Sequence, residues 1–240
     1  MNRKALILLA TSLLGGCTGE NIEESAAPMI RIAKKARKSG NAEAAISFYK
    51  KALATDPDNS EAVLGLAEAY IDLKILDAAA EYIKQAEDTD GHNSAKSSYL
   101  RGKICLLSGD TDGAEKEFLK STSTDSLNAL GAVYDGKGKH KKAQSLYKQV
   151  ISKDPGYIDA YNNMGLSLML SDKYREAIFY LESACALPEA NVTYRSNLAL
   201  AYGLSGNIEK AKEVYSQDFE GAELQKKISS LEDIVAAKQK

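Results

Sequence analysis

Apolar residues recur along most of the chain at intervals of three and four, which is the spacing of one face of an α-helix. Short polar segments interrupt these stretches at a nearly constant distance. Six turn positions mark the period, spaced 34, 35, 29, 34 and 34 residues apart: Gly40, Lys74, Gly109, Gly138, Asp172 and Gly206. The pattern therefore predicts an all-α protein built from repeated helix–turn–helix units.

Two further residue types keep a fixed distance from each turn position. Alanine follows five residues later, at Ala45, Ala79, Ala114, Ala143, Ala177 and Ala211. A large apolar residue follows nine residues later, at Tyr49, Ile83, Phe118, Tyr147, Leu181 and Tyr215. The small residue lets two antiparallel helices approach closely, and the large one fills the space between units. Proline, which cannot continue a helix, ends the first, fourth and fifth units at Pro57, Pro155 and Pro188.

Small, large and helix-breaking residues at these offsets resemble the tetratricopeptide repeat, a helix–turn–helix unit of about 34 residues. The resemblance implies a right-handed superhelical solenoid of about six repeats. We predict the units at residues 26–59, 60–94, 95–123, 124–157, 158–191 and 192–225. Residues 226–240 are predicted to form a capping helix and tail, because the last repeat of such an array needs cover for its apolar end.

The third unit is about five residues shorter than the others, and a run of Ser and Thr over residues 121–126 replaces the usual Asp-Pro turn. Two interpretations are compatible with this gap. It is either a loop deletion that the array tolerates or a break in curvature that divides the array into two halves of three repeats.

The first residues of the chain have the order of a secretory signal peptide. Arg3 and Lys4 precede an apolar stretch over residues 5–14, which ends in Leu14-Gly15-Gly16-Cys17. As a helix this stretch would cover about 15 Å, half of a hydrocarbon core of about 30 Å, so it is too short to span a membrane. The ending resembles the bacterial lipobox, which implies cleavage after residue 16 and acylation of Cys17. The alternative is an ordinary cleaved signal in which Cys17 has no role.

The lipobox resemblance also implies a location. Residues 17–25 would form a lipidated tether, and its segment after Cys17 would reach at most about 28 Å. Thr18 stands where an Asp favours inner-membrane retention in enterobacterial lipoproteins. We therefore expect a palmitate-bearing protein on the periplasmic face of the outer membrane.

Composition and motifs argue against several classes of function. Loss of the signal would change the net charge from −2 to −4, with 29 basic and 33 acidic residues remaining, so the chain has no basic field for nucleic acid. We find no phosphate loop, no metal-ligand spacing and no nucleophile motif. We therefore predict no enzymatic activity, no cofactor, no metal and no small-molecule substrate.

The remaining candidates for chemistry have simpler interpretations. His92 and His140 fall in polar turns and are predicted to be solvated. Cys105 and Cys185 fall on helical faces and are predicted to be free core thiols. The cluster from Lys137 to Lys142 is interpreted as a wet surface, with contact to anionic lipid or an acidic partner as the alternative.

Protein binding is the predicted activity, on the concave face of the last three repeats. The resemblance places four asparagines at concave positions of first helices, where amides clamp extended peptides in this family: Asn128, Asn162, Asn163 and Asn197. The alternative is that they hydrogen-bond within the helix pair. An apolar lining is predicted from Tyr99, Leu106, Leu107, Leu166, Met169, Leu170, Leu200 and Leu204, several of which could equally be core between repeats.

Three stretches, 128–140, 162–168 and 197–204, resemble more specifically the TadD family of tetratricopeptide lipoproteins of the tight-adherence (Tad/Flp) pilus. This resemblance implies an outer-membrane pilus-assembly factor that helps the secretin reach or assemble in that membrane. The alternatives are a pilotin-like lipoprotein of a type IV pilus or type II secretion system, and an adaptor that regulates a periplasmic hydrolase.

The anchor can be tested directly. The change Cys17→Ser removes the acceptor thiol, so the protein should fail to incorporate labelled palmitate and should leave the membrane fraction. Unchanged membrane fractionation of the variant would count against lipidation.

Overall fold

The computed structural model describes residues 25–90 and 94–238, and this part of the chain contains thirteen α-helices and no strand. The predicted signal peptide, Cys17, most of the tether and His92 lie outside the described residues. The helices are α1 (Ala26–Lys38), α2 (Ala42–Thr55), α3 (Ser60–Asp72), α4 (Leu76–Asp90), α5 (Ala95–Leu107), α6 (Thr111–Phe118), α7 (Thr124–Gly136), α8 (His140–Lys153), α9 (Ile158–Met169), α10 (Tyr174–Cys185), α11 (Val192–Leu204), α12 (Ile208–Tyr215) and α13 (Gly221–Lys238).

The helices form two layers. Each odd-numbered helix pairs with the even-numbered helix that follows it, and successive odd-numbered helices also contact one another from α1 through α13. Successive even-numbered helices make no such contact within the described chain. The odd-numbered helices are therefore the crowded inner layer of a curved superhelical array, and the predicted all-α solenoid is confirmed.

Helix α13 takes the place of a further inner helix and packs on α11 and α12. It begins at Gly221, before the predicted boundary at residue 226, because α12 is only eight residues long and ends at Tyr215. Arg195 pairs with Asp218 at 2.5 Å and fixes the short link between α12 and α13. Ile228 and Leu231 are the residues that α13 buries.

The six turn positions share one backbone conformation. All have a positive φ between 58° and 91°, including the two that are not glycine, Lys74 and Asp172. The turn is therefore preserved where the preferred glycine is absent, with the strain that an L-residue has in this region.

The predicted contact between the two helices of each repeat is confirmed. The six alanines are fully buried, and the six large residues that follow them are at most 8% exposed. In three repeats the large side chain lies on an inner-helix glycine of the same repeat, so that an added methyl group would overlap it: Gly102 with Phe118, Gly131 with Tyr147, and Gly165 with Leu181. Tyr49 makes the same kind of contact with Gly65 of the next inner helix, α3.

The short third repeat does not interrupt the stack. Helix α6 has eight residues, yet it packs on α7, and α5 also contacts α7. The turn that follows α6 is held by hydroxyls, since Ser121 donates to Ser123 at 3.1 Å and Ser123 donates to Ser126 at 3.0 Å. This continuity favours the interpretation as a tolerated loop deletion.

Both described cysteines are free, as predicted, but they are half-buried rather than fully buried in the core. Burial is the main cause that raises the pKa of the Cys105 thiol and of the Cys185 thiol. Both therefore favour the unreactive protonated form.

The contact between the two helices of a repeat can be tested through its effect on stability. Ala143 is fully buried, so Ala143→Leu should overpack it and lower the free energy of unfolding by about 1–3 kcal/mol. Exposed Lys141→Ala should have almost no effect. Equal thermal midpoints of the two variants would show that the repeat phase is wrong.

Candidate protein-binding groove

The inner face of the first three repeats is occupied by its own ion pairs. Glu68 of α3 pairs with Arg37 of α1 and with Lys96 of α5, at 3.3 and 3.1 Å. Arg37 also pairs with Asp72 at 3.2 Å, and Lys34 pairs with Glu61. These contacts link α1, α3 and α5, so charges on this half of the inner face are largely compensated within the chain.

The inner face of α7, α9 and α11, which we call the distal groove, carries a chain of side-chain amides instead. Asn197 donates to the side-chain oxygen of Asn162 at 2.7 Å, and Asn162 donates to that of Asn163 at 3.3 Å. Asn163 in turn donates to Asn128 at 3.2 Å. The predicted asparagines are therefore brought together. Two of the three hydrogen bonds run between repeats, and the third joins the adjacent residues Asn162 and Asn163 of α9.

Burial divides these asparagines into two pairs. Asn128 and Asn162 are buried, with exposed fractions of 9% and 7%, whereas Asn163 and Asn197 are half-buried. A side-chain amide nitrogen carries two N–H groups. Asn162, Asn163 and Asn197 each donate one hydrogen bond in this chain of amides. We therefore expect the buried pair to orient Asn163 and Asn197, whose contact with a partner stays a prediction.

The predicted apolar lining is only partly on the surface. Met169 is 8% exposed and belongs to the core, which it shares with Leu168 and Leu198. The leucines vary from half-buried to exposed: Leu166, Leu200 and Leu204 pack at the margin of that core, and Leu106, Leu107 and Leu170 are 40%, 47% and 62% exposed.

Tyr99 lies between two repeats, half-buried and packed at a ring distance of 6.0 Å from Phe118. The Lys103 ammonium sits 5.8 Å from the centre of the Tyr99 ring. Burial, followed by the carboxylates of Asp125, Glu68 and Asp159, raises the pKa of Tyr99 to about 12. The phenol is therefore neutral at physiological pH and belongs to packing as much as to the groove.

Two exposed carboxylates stand at the beginning of α7 and α9. Asp125 accepts the Tyr157 hydroxyl at 2.7 Å, and Asp159 accepts the Tyr194 hydroxyl at 2.6 Å. Burial and then the bond to Asp159 raise the pKa of Tyr194 to about 12. Neither carboxylate forms an ion pair with any residue that the structure describes. The edge of the distal groove at the start of these helices is therefore negative.

A polar cluster at the junction of repeats 4 and 5 was not foreseen. Asp135 of α7 accepts hydrogen bonds from the Tyr147 hydroxyl at 3.0 Å and from the Ser167 hydroxyl at 2.7 Å. His140 Nδ1 lies 2.8 Å from the same carboxylate, so the prediction of a solvated His140 is wrong. Burial is the main cause that raises the pKa of Tyr147 far above its usual range, and Asp135 adds to it.

The lysines between residues 137 and 142, where α7 ends and α8 begins, make two different kinds of contact. Lys137 pairs with Asp112 at 2.6 Å and also pairs with Glu115. Lys139 and Lys142 instead lie over the Tyr134 ring, at 5.7 and 5.6 Å from its centre. The turn is therefore only partly the wet surface that the sequence suggested.

Among the described residues no group of His, Cys, Asp or Glu is arranged to hold a metal ion. Within that same part of the chain, no helix has the length and apolarity needed to cross a membrane.

Sequence models of the tetratricopeptide repeat match residues 36–104, 126–156 and 158–191, together more than half of the chain. The chain therefore belongs to the tetratricopeptide repeat family, whose members bind protein partners and are generally non-catalytic scaffolds.

Two curated relatives share the repeat. TPR repeat-containing protein YpiA of Bacillus subtilis is 25% identical over 203 residues, which are 81% of this chain and 46% of YpiA. BBSome complex member BBS4 of Bos taurus is 27% identical over 184 residues, 74% of this chain and 35% of BBS4. The chain thus spans between about a third and a half of the length of these relatives.

Two solved structures share the fold over nearly their whole length. PilW, described as a widely conserved type IV pilus biogenesis factor, has a TM-score of 0.67 and 21% identity, covering 84% of this chain and 97% of PilW. Pseudomonas aeruginosa pilF has a TM-score of 0.63 and 17% identity, covering 81% and 90%. At these identities the likeness shows the fold alone.

The contribution of the Asp135 cluster to stability can be tested by substitution. Asp135→Ala leaves the hydroxyls of the buried Tyr147 and Ser167, and the His140 ring, without this carboxylate, so the free energy of unfolding should fall by about 2–3 kcal/mol. Asp125→Ala removes an exposed carboxylate with one hydroxyl partner and should cost less than about 1 kcal/mol. Denaturant unfolding of both variants measures the difference, and equal losses would contradict a special role for Asp135.

Proposed function

We propose that this protein is a lipid-anchored scaffold of the outer membrane that binds an envelope partner in the distal groove and supports Tad/Flp pilus assembly, through localisation or assembly of the secretin. The observation that carries the proposal is the contrast between the two halves of the inner face. Ion pairs occupy repeats 1–3, whereas repeats 4–6 present amides and leucines to a partner.

Two sequence features support the finer parts of this proposal. The Leu14 to Cys17 ending supports a lipid anchor on the periplasmic side. The stretches 128–140, 162–168 and 197–204, which resemble the TadD family, include the asparagines of the amide chain. The proposed pilus role therefore rests on the residues that build the distal groove.

A pilotin-like role in a type IV pilus is the second candidate. The specific observation in its favour is the shared fold with PilW, over 97% of that protein, and with pilF, over 90%. Both candidates need a lipid anchor and a protein-binding groove, so they differ in the partner and not in the mechanism.

The test is partner capture by a double variant. Asn163→Ala with Asn197→Ala should weaken co-purification of the secretin or pilus subunit about tenfold, since each amide contributes about 0.5–1.5 kcal/mol. The matched control is Lys148→Ala with Gln149→Ala, two exposed residues of the outer helix α8.

Circular dichroism and membrane fractionation should be unchanged in both double variants. Capture at the wild-type level by the folded asparagine variant would make these amides structural and would overturn the proposed site.

A further inference from the structure

We infer that the distal groove selects an amphipathic partner segment that carries basic side chains along one edge and apolar side chains along the other. This inference rests on the proposed function, because it assigns the chemistry of the partner that the same groove would bind.

The inner faces of α7, α9 and α11 share a common order of side chains. Residues spaced by three and four lie on one helical face. On α9 this face carries Asp159, Asn163, Leu166 and Leu170 in turn. The residues 34 positions earlier on α7 are Asp125, Ala129 and Ala132, with the buried Asn128 next to Ala129. The residues 34 positions later on α11 are Thr193, Asn197, Leu200 and Leu204. Two adjacent helices therefore form each of three short rows: an acidic row of Asp125 and Asp159, an amide row of Asn163 and Asn197, and an apolar row of Leu166, Leu170, Leu200 and Leu204.

Among the described residues, no cation forms an ion pair with Asp125 or Asp159 of the acidic row. Three cations on flanking elements are engaged elsewhere: Lys96 pairs with Glu68 at 3.1 Å, Arg195 pairs with Asp218 at 2.5 Å, and Lys153 donates to the Thr122 carbonyl at 2.9 Å. Tyrosine hydroxyls orient Asp125 and Asp159, but a hydroxyl carries no charge. Basic side chains of a partner would supply the missing charge.

The apolar row lies on the other side of the amides. Leu170 is 62% exposed, and Leu166, Leu200 and Leu204 are half-buried at the edge of the core. The row thus offers one exposed and three half-buried leucines to an apolar partner side chain. The amide row between them can donate to and accept from a peptide of any sequence.

These rows define the size and charge of the occupant. Neighbouring helices pack about 8–10 Å apart, so the three inner helices span about 20 Å. A segment of about six extended residues or about thirteen helical residues covers that distance. An acidic segment would meet like charges at Asp125 and Asp159, so basic segments are favoured over acidic ones.

The probe is a pair of fluorescein-labelled amphipathic peptides of fourteen residues, one of Leu and Lys and the other with Glu in place of Lys. The protein is the chain from residue 17 with Cys17→Ser, which contains every described helix. Fluorescence anisotropy should give at least tenfold tighter binding of the Lys peptide, with an affinity that falls as salt increases.

Matched variants locate the binding. Asp125→Asn with Asp159→Asn should weaken the Lys peptide about tenfold and reduce the salt dependence, while Leu170→Ser should weaken it several-fold at every salt concentration. The control Asp56→Asn with Asp58→Asn removes the same charge from an exposed turn of repeat 1 and should change binding less than twofold. Circular dichroism verifies that each variant is folded.

The outcomes separate this inference from the proposed function. Equal binding of the two peptides, or an equal effect of the control pair, overturns the assigned partner chemistry. The asparagine double variant could lose the envelope partner while the Lys peptide fails to compete with that partner. In that case the distal groove remains the proposed binding site, and the assigned partner chemistry is wrong.

Discussion

The close contact between an inner-helix glycine and a large outer-helix side chain is the constraint on which this structure depends. Where Gly131 meets Tyr147, even one additional methyl group would overlap the ring. The contact recurs at Gly102 and Gly165, and each time it fixes the distance between the two helices of a repeat. Because the inner helices are held against their outer partners in this way, their remaining faces are directed into the groove.

This constraint also explains which features could be predicted from the sequence. The buried Ala and the large apolar residue keep the same distance from each turn position, so an unusual residue at one position, or the short third repeat, does not obscure the phase. Lys74 and Asp172 depart from glycine, yet both have the expected positive φ because the helices on either side fix the turn.

The groove was harder to predict because its contacts join residues of different repeats. The asparagines were identified as inner-facing, but the bond from Asn197 to Asn162 depends on how two inner helices lie side by side. The Asp135 cluster was missed for the same reason. His140 follows Asp135 by five residues, a signal that could have suggested the pair, whereas the Ser167 contact spans 32 residues of sequence.

The chain of amides has a direction. Every donor in it points from a later residue to an acceptor nearer the N-terminal end of the array, except at the adjacent pair where Asn162 donates to Asn163. Aligned amide dipoles of this kind polarise one another. A peptide backbone also has opposite dipoles along its two directions. A segment bound as proposed would therefore meet the chain of amides differently from the same segment reversed, and the direction of the amides would set which way the bound chain leads away from the array.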